Sequence, residues 1–299
     1  MLPPLQNNNK HNNKKKMKPI KITPLLPAAI ISAAVAMSLV SCGSKDNTNR
    51  ITDGIFATDS ITYSDSIKVD GTDAICDISV DYPTGNATPL DSSVRKWINS
   101  QLSATASEKF SQIKSTSLDT ISDGSTLLKT LTSYIIDGSR KDLTECNTSA
   151  GYEFDWKISK SYETDRYVTY TFSAYTFLGG AHGSFISKGS TFSKPEGIQF
   201  GWDIFKPDSI PAIRNTVKQA IMHNYFNAST PVSFQECLLI NPADFPLPTT
   251  PPLFLDDGMH FIYQQYEIAP YAAGLPECTI PYTEIQNMMT SQARALTRL

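Results

Sequence analysis

YTFLGGAHGSFISKGSTFSKPEGIQFGW, residues 175–202, is the stretch on which the fold turns. Alternating residues run into Gly179-Gly180-Ala181-His182-Gly183 from both sides, which predicts two strands that kink or meet at a glycine-flanked histidine. Glycine adopts backbone conformations closed to residues with a Cβ, so such a segment can reverse tightly while presenting one polar ring. Lys194-Pro195-Glu196-Gly197 predicts a β-turn, and Gly201-Trp202-Asp203-Ile204-Phe205 carries the chain out of the sheet.

Working outward, the same period of two recurs upstream. Phe154, Trp156 and Ile158 alternate with polar residues, and Tyr167 to Phe177 predicts a long Tyr- and Thr-rich strand. Folded structure is expected from Ile61, with Cys76, Ile78, Val80 and Tyr82 as a half-buried strand closed by Pro83 and Gly85. Between the strands the period becomes helical. Asp91 is placed to cap a helix burying Val94, Trp97, Ile98, Leu102 and Ala106. Asp123 is placed to cap a second, with Leu127, Leu128, Leu131, Tyr134 and Ile135 on one face and Gly138 at its end.

Downstream, Ser209 and Pro211 open a helix, and a proline-rich connection follows. A hairpin is expected about Asp256-Asp257-Gly258, a last strand from Cys278 to Tyr282, and one terminal helix over residues 284–299. The predicted class is α+β, in two coupled halves, each an antiparallel sheet with a helix packed on one face. The boundaries expected are a domain over 61–150 and a second over 151–299.

The N-terminus predicts export. Residues 1–16 are rich in Asn and Lys, and Met17 is the more suitable start. Lys18 and Lys21 precede an apolar run ending in Leu39-Val40-Ser41-Cys42-Gly43. Its roughly 16 apolar residues suit a signal peptide better than a spanning helix of about 20. Cys42 closes the run as a lipidation cysteine does, with cleavage after Ser41. Residues 1–41 are then a signal peptide and 42–60 a polar tether, and the chain is expected on the outer membrane or cell surface, held through lipid.

Removing residues 1–41 takes away six lysines and no acid, leaving 20 basic against 29 acidic side chains, a net charge near −9. Such a chain is a poor nucleic-acid binder, because nothing neutralises phosphates, but it attracts cationic partners. Cys76, Cys146, Cys237 and Cys278 remain, an even number that permits one or two disulfides in an oxidising compartment or buried free thiols.

No nucleophile elbow, phosphate loop, zinc-protease helix or dinucleotide fingerprint is present in the sequence. The histidines downstream of Cys42 are His182, His223 and His260. Asp256, Asp257 and His260 read as turn chemistry rather than a metal cluster, so no catalytic residue, metal or cofactor is expected. Tyr162, Tyr167, Tyr170, Tyr175, Tyr263, Tyr266 and Tyr271 supply either core or recognition area. Four Asp-Ser/Thr-Ile tripeptides, at 59–61, 65–67, 119–121 and 208–210, match a short O-glycosylation acceptor and equally a helix-start pattern.

Tyr175…Gly179-Gly180-Ala181-His182-Gly183, the exit through Trp202-Asp203-Ile204-Phe205 and the run Tyr266-Glu267-Ile268-Ala269-Pro270-Tyr271-Ala272-Ala273-Gly274…Ile280-Pro281-Tyr282 resemble the RsiV-type extracytoplasmic domain. That domain forms the outer part of lysozyme-sensing anti-sigma factors and also occurs beside peptidoglycan deacetylases and in lipoproteins. The resemblance covers about residues 150–285, and residues 60–150 are similar to the small α/β domain that precedes it. It implies an envelope binding module with lysozyme or another protein, or peptidoglycan, as ligand. The face expected to bind holds Gly180, His182, Gly183, Tyr271 and Gly274, with Trp202 and Asp203 supporting the hairpin. The run ends at a lipidation cysteine, so signalling across a membrane by this chain alone is not expected. The competing readings are a cell-wall hydrolase or deacetylase using His182 with nearby carboxylates, and a structural lipoprotein without a small ligand.

Overall fold

The computed structural model describes residues 54–85, 88–110, 118–146 and 150–297. They belong to a compact unit spanning Ile51–Leu299. The signal-peptide residues, Cys42 and most of the tether lie outside the described residues.

Strands β1 (Thr58–Val69) and β2 (Thr72–Pro83) form a hairpin closed by Asp70 and Gly71, both at positive φ (48° and 89°). That pair of left-handed residues is what a two-residue hairpin turn requires. β1 starts three residues before Ile61, and Phe56 ahead of it is already buried, so the folded body takes in part of the expected tether. β1 hides from pattern reading because its outward residues are Asp, Ser and Thr, while Ile61, Tyr63, Ile67 and Val69 are only half-buried.

Helix α1 (Pro89–Lys109) begins with a capping box. Thr88 is the cap, its Oγ1 accepting from Asp91 N–H while the Asp91 carboxylate accepts from Thr88 N–H; the reading that made Asp91 the cap is off by three residues. Helix α2 (Gly124–Cys146) starts at Asp123, whose carboxylate accepts from Thr126 N–H at 2.7 Å. It runs through Gly138 rather than stopping there. Leu127, Leu128, Leu131, Ile135, Ile136 and Leu143 all bury against the sheet, and that packing outweighs the roughly 1 kcal/mol a helical glycine costs.

The two helices form the crossover from β2 to β3 (Tyr152–Glu163), which pair in parallel; β4 (Tyr167–Leu178) and β5 (Ser184–Ser193) complete a sheet in the order β1-β2-β3-β4-β5. The expected boundary at residue 150 therefore falls within the connectivity of one sheet. A core of Trp156, Phe154, Phe172, Tyr170 and Phe110 fills the space between sheet and helices. The division between the two cores lies after β5.

The second half contains α3 (Ile210–Ala220) continuing into a π-helical turn (Ile221–Tyr225), a short α4 (Pro231–Gln235), and an antiparallel sheet of β6 (Leu253–Phe254), β7 (Met259–Ile262) and β8 (Glu277–Ile280). The single terminal helix expected over 284–299 is instead α5 (Tyr282–Ile285) and α6 (Ser291–Leu296). Thr290 caps α6 and donates its N–H to Ile204, which fixes the break.

The halves meet where β6 crosses the outer face of β4 and β5. Thr169 Oγ1 donates to Phe254 O (2.7 Å), and Phe254 N–H donates to Thr191 Oγ1 (3.1 Å). A Cβ on Gly189 would stand 2.2 Å from Tyr170 O and 3.0 Å from Leu253, so the close approach needs glycine there. Among the described residues no helix is long and apolar enough to cross a membrane.

Candidate ligand-binding face

The loop between β4 and β5 is the tip of their hairpin. Gly179 and Gly180 take positive φ (75° and 116°), which brings the chain round without strain. Gly183 serves differently: its Cβ would fall 2.4 Å from the Tyr175 ring, so the hydroxyl end of that ring packs against the backbone at that point. Between them, exposed His182 has its Nδ1 3.0 Å from Gly183 O. With the Nδ1 proton donated there, Nε2 is an acceptor for the Tyr266 hydroxyl at 3.5 Å.

The second half supplies the rest. Tyr271 begins a 3-10 turn (Tyr271–Ala273) that ends at Gly274, φ 76°. Its ring stacks on His182, centroids 3.8 Å apart and planes 23° from parallel. Tyr266 stands at 6.1 Å from Tyr271 and is 54% exposed. It sits at φ 64°, an unusual conformation for a tyrosine, in the loop after β7. The loop is anchored to the free edge of β5. Gln264 accepts from Ser187 N–H (3.2 Å) and donates to Ser187 O (2.6 Å), and Gln265 accepts from Phe185 N–H (2.9 Å). Both glutamines thereby satisfy backbone groups that an edge strand leaves open.

Beside this stack runs a groove of about 440 Å³ bounded by His182, Phe185, Lys188, Thr250, Gln264 and Tyr266, among others. Phe185 is 38% exposed there. Burial pushes the Lys188 ammonium below its usual range, against the opposing pull of Glu108, and the group lies 5.6 Å over the Phe172 ring.

The structure thus joins His182, Gly183 and Tyr271 in one contact set. Gly180 shapes the same loop, and Gly274, whose Cβ would approach Tyr225 Oη at 3.3 Å, ends the turn carrying Tyr271. Trp202 and Asp203 stand apart from the hairpin tip. Trp202 packs on Phe205 and Phe261 in the second core, and Asp203 Oδ1 accepts from Gly201 N–H. Asp256 and His260 do not converge: Asp256 accepts from Tyr162 Oη, and His260 meets Thr279 and Glu277. Tyr170 and Tyr263 are wholly buried core residues. Cys76, Cys237 and Cys278 are free thiols, and burial pushes Cys76 and Cys278 up to about 12. Gln264, Gln265, Phe185 and Lys188 escaped the sequence reading, since only strand register shows that the later loop lies along β5.

Residues 202–283 match the model of a protein family of unknown function, DUF3298. The matched segment is the second half, with Tyr266, Tyr271 and Gly274 inside it and His182 outside. Among solved structures, a DUF3298-family protein of Bacteroides fragilis shares the fold at a TM-score of 0.69 and 19% identity, over 82% of this chain and 98% of that one. A DUF3298-family protein of Pseudomonas aeruginosa aligns at a TM-score of 0.57 and 14% identity, over 81% and 97%. The shared architecture thus extends beyond the matched segment into the first half. No curated protein matches the chain.

Proposed function

We propose that the chain is a lipid-anchored cell-envelope protein that binds its ligand, a protein such as lysozyme or a cell-wall glycan, at the His182–Tyr271 face. The observation that carries this reading is the stack itself. His182 and Tyr271 come from different halves, yet they lie face to face outside both cores, with Tyr266 exposed beside them. Aromatic area exposed on a rigid seam supplies binding surface at low conformational cost. The apolar run closing at Cys42 supports envelope anchoring, and the net charge near −9 supports attraction of a cationic protein.

The hydrolase reading gains no support from the groove, because among the described residues none that lines it is a carboxylate that could work with His182. The test is calorimetric titration of the full chain with lysozyme and, separately, with solubilised peptidoglycan, at low salt and at about 0.15 M, where screening acts beyond about 8 Å. The reading expects saturable binding to one of them at the higher salt, weakened at least tenfold by Tyr271→Ala. Binding to neither, or binding indifferent to Tyr271→Ala, overturns it.

A further inference from the structure

Downstream of Ser41 the chain is acidic, with a net charge near −9, yet the groove beside the His182–Tyr271 stack is cationic. Lys109, in the last turn of α1, and Lys188, on β5, both line it, and among the described residues no carboxylate does. Successive residues of β5 face opposite ways. Ile186 packs on the first core and Lys188 Nζ lies over the Phe172 ring at 5.6 Å, so both turn to the helix side of the sheet. Neither lysine forms an ion pair among the described residues. The acid that acts on Lys188 is Glu108, which is exposed and stands beyond ion-pair distance. Lys188 Nζ nonetheless stays accessible, unlike the partnerless polar atoms sealed inside the fold, such as Tyr170 Oη.

An ammonium held partly out of water without a counter-ion is a cost, and an anion docked beside it offsets that cost. The rest of the lining bears on what carries the anion. A peptide docks on such a strand by adding to its edge. That route is closed on β5, because Gln264 occupies both Ser187 N–H and Ser187 O and Gln265 occupies Phe185 N–H. A sugar ring needs no strand partner. It lies on exposed aromatic faces, here Phe185 and Tyr266, and is oriented by a few polar contacts. We infer that this groove selects a saccharide bearing a carboxylate, with the carboxylate at Lys188 and Lys109 and the rings along Phe185 and Tyr266. This deepens the reading of the His182–Tyr271 face, on which it rests, and makes an acidic glycan the occupant.

The test uses the full chain, calorimetry at about 0.15 M salt and three probes. These are the disaccharide of N-acetylglucosamine with N-acetylmuramic acid, diacetylchitobiose (which lacks only the lactyl carboxylate) and an N-acetyl dipeptide with a free C-terminal carboxylate. The acidic disaccharide is expected to bind at least tenfold tighter than either other probe. Lys188→Met keeps the stem over Phe172 and removes the charge, so it should erase that preference with an unchanged Tm. Lys109→Met, at the helix end, should reduce the preference at least threefold, and it keeps the test open if Lys188→Met disturbs the fold. Tyr271→Ala should weaken both disaccharides and leave the preference in place, which separates the carboxylate assignment from the face itself. Equal binding of the two disaccharides, or a preference indifferent to both lysine variants, overturns the inference and leaves the face standing. Equal or tighter binding of the dipeptide overturns the saccharide assignment. Binding of neither disaccharide overturns the inference, and the face then stands or falls with lysozyme.

Discussion

Glu163 shows how much a single side chain fixes. It sits where the chain enters the folded body, receiving Lys160 Nζ at 2.7 Å as well as Lys194 Nζ and the N–H of Phe56. Lys194 also donates to Gly54 O, and Lys160 to Phe56 O. Burial works to raise the Glu163 carboxyl, but these donors outweigh it and hold the group below the usual carboxylate range. A depressed folded-state pKa gives stability that is present above the unfolded value, about 4.3, and is lost as pH falls through the folded value. Glu163→Gln should therefore cost about 2 kcal/mol at neutral pH by thermal unfolding, with the gap narrowing below about pH 4. A gap that stays constant into acid would contradict the assignment. At this scale the sequence was informative where glycine marks geometry, as at His182 between Gly180 and Gly183. It was silent on Tyr266, because nothing local tells which of seven tyrosines takes a left-handed backbone beside a distant strand. Trp202 carried the opposite lesson: an aromatic at the exit of a hairpin belongs to the next core.

Among the elements, β5 carries the greatest structural demand, being both an edge and the seat of the second half. Gly189→Ala sets a Cβ against the backbone carbonyl of Tyr170, which cannot swing away as a side chain can. The expected cost is about 3 kcal/mol in denaturant unfolding, and a neutral outcome would refute the close approach of β6. Gln264→Ala should cost about 2 kcal/mol by removing both bonds to Ser187, and hydrogen exchange at Ser187 should rise with it. Protection unchanged at Ser187 would show that the edge is covered some other way. The long helices and the alternating strands were legible because one buried face imposes its period. β1 went unread and the stop at Gly138 was misread, each for its own physical reason. Edge strands bury little, and tertiary packing decides whether a helix continues past glycine.

At the scale of the molecule, entry and tip lie at opposite ends of one hairpin. The Glu163 cluster grips residues 54–56 near the Tyr167 end of β4, and His182 follows its Leu178 end. Twelve residues of strand at about 3.3 Å each separate them by roughly 36 Å. A chain anchored at Cys42 would thus enter the fold at the end away from its binding face. Cys42→Ala should release the protein from the membrane fraction and abolish labelling by a fatty-acid probe; retention with label intact would contradict the anchor. The most direct test of the binding face is a hydrogen-exchange footprint of the full chain with and without saturating ligand, lysozyme first. The account predicts added protection confined to residues 180–185 and 264–274, on both sides of the seam. Protection elsewhere, with these two segments unchanged, would contradict it.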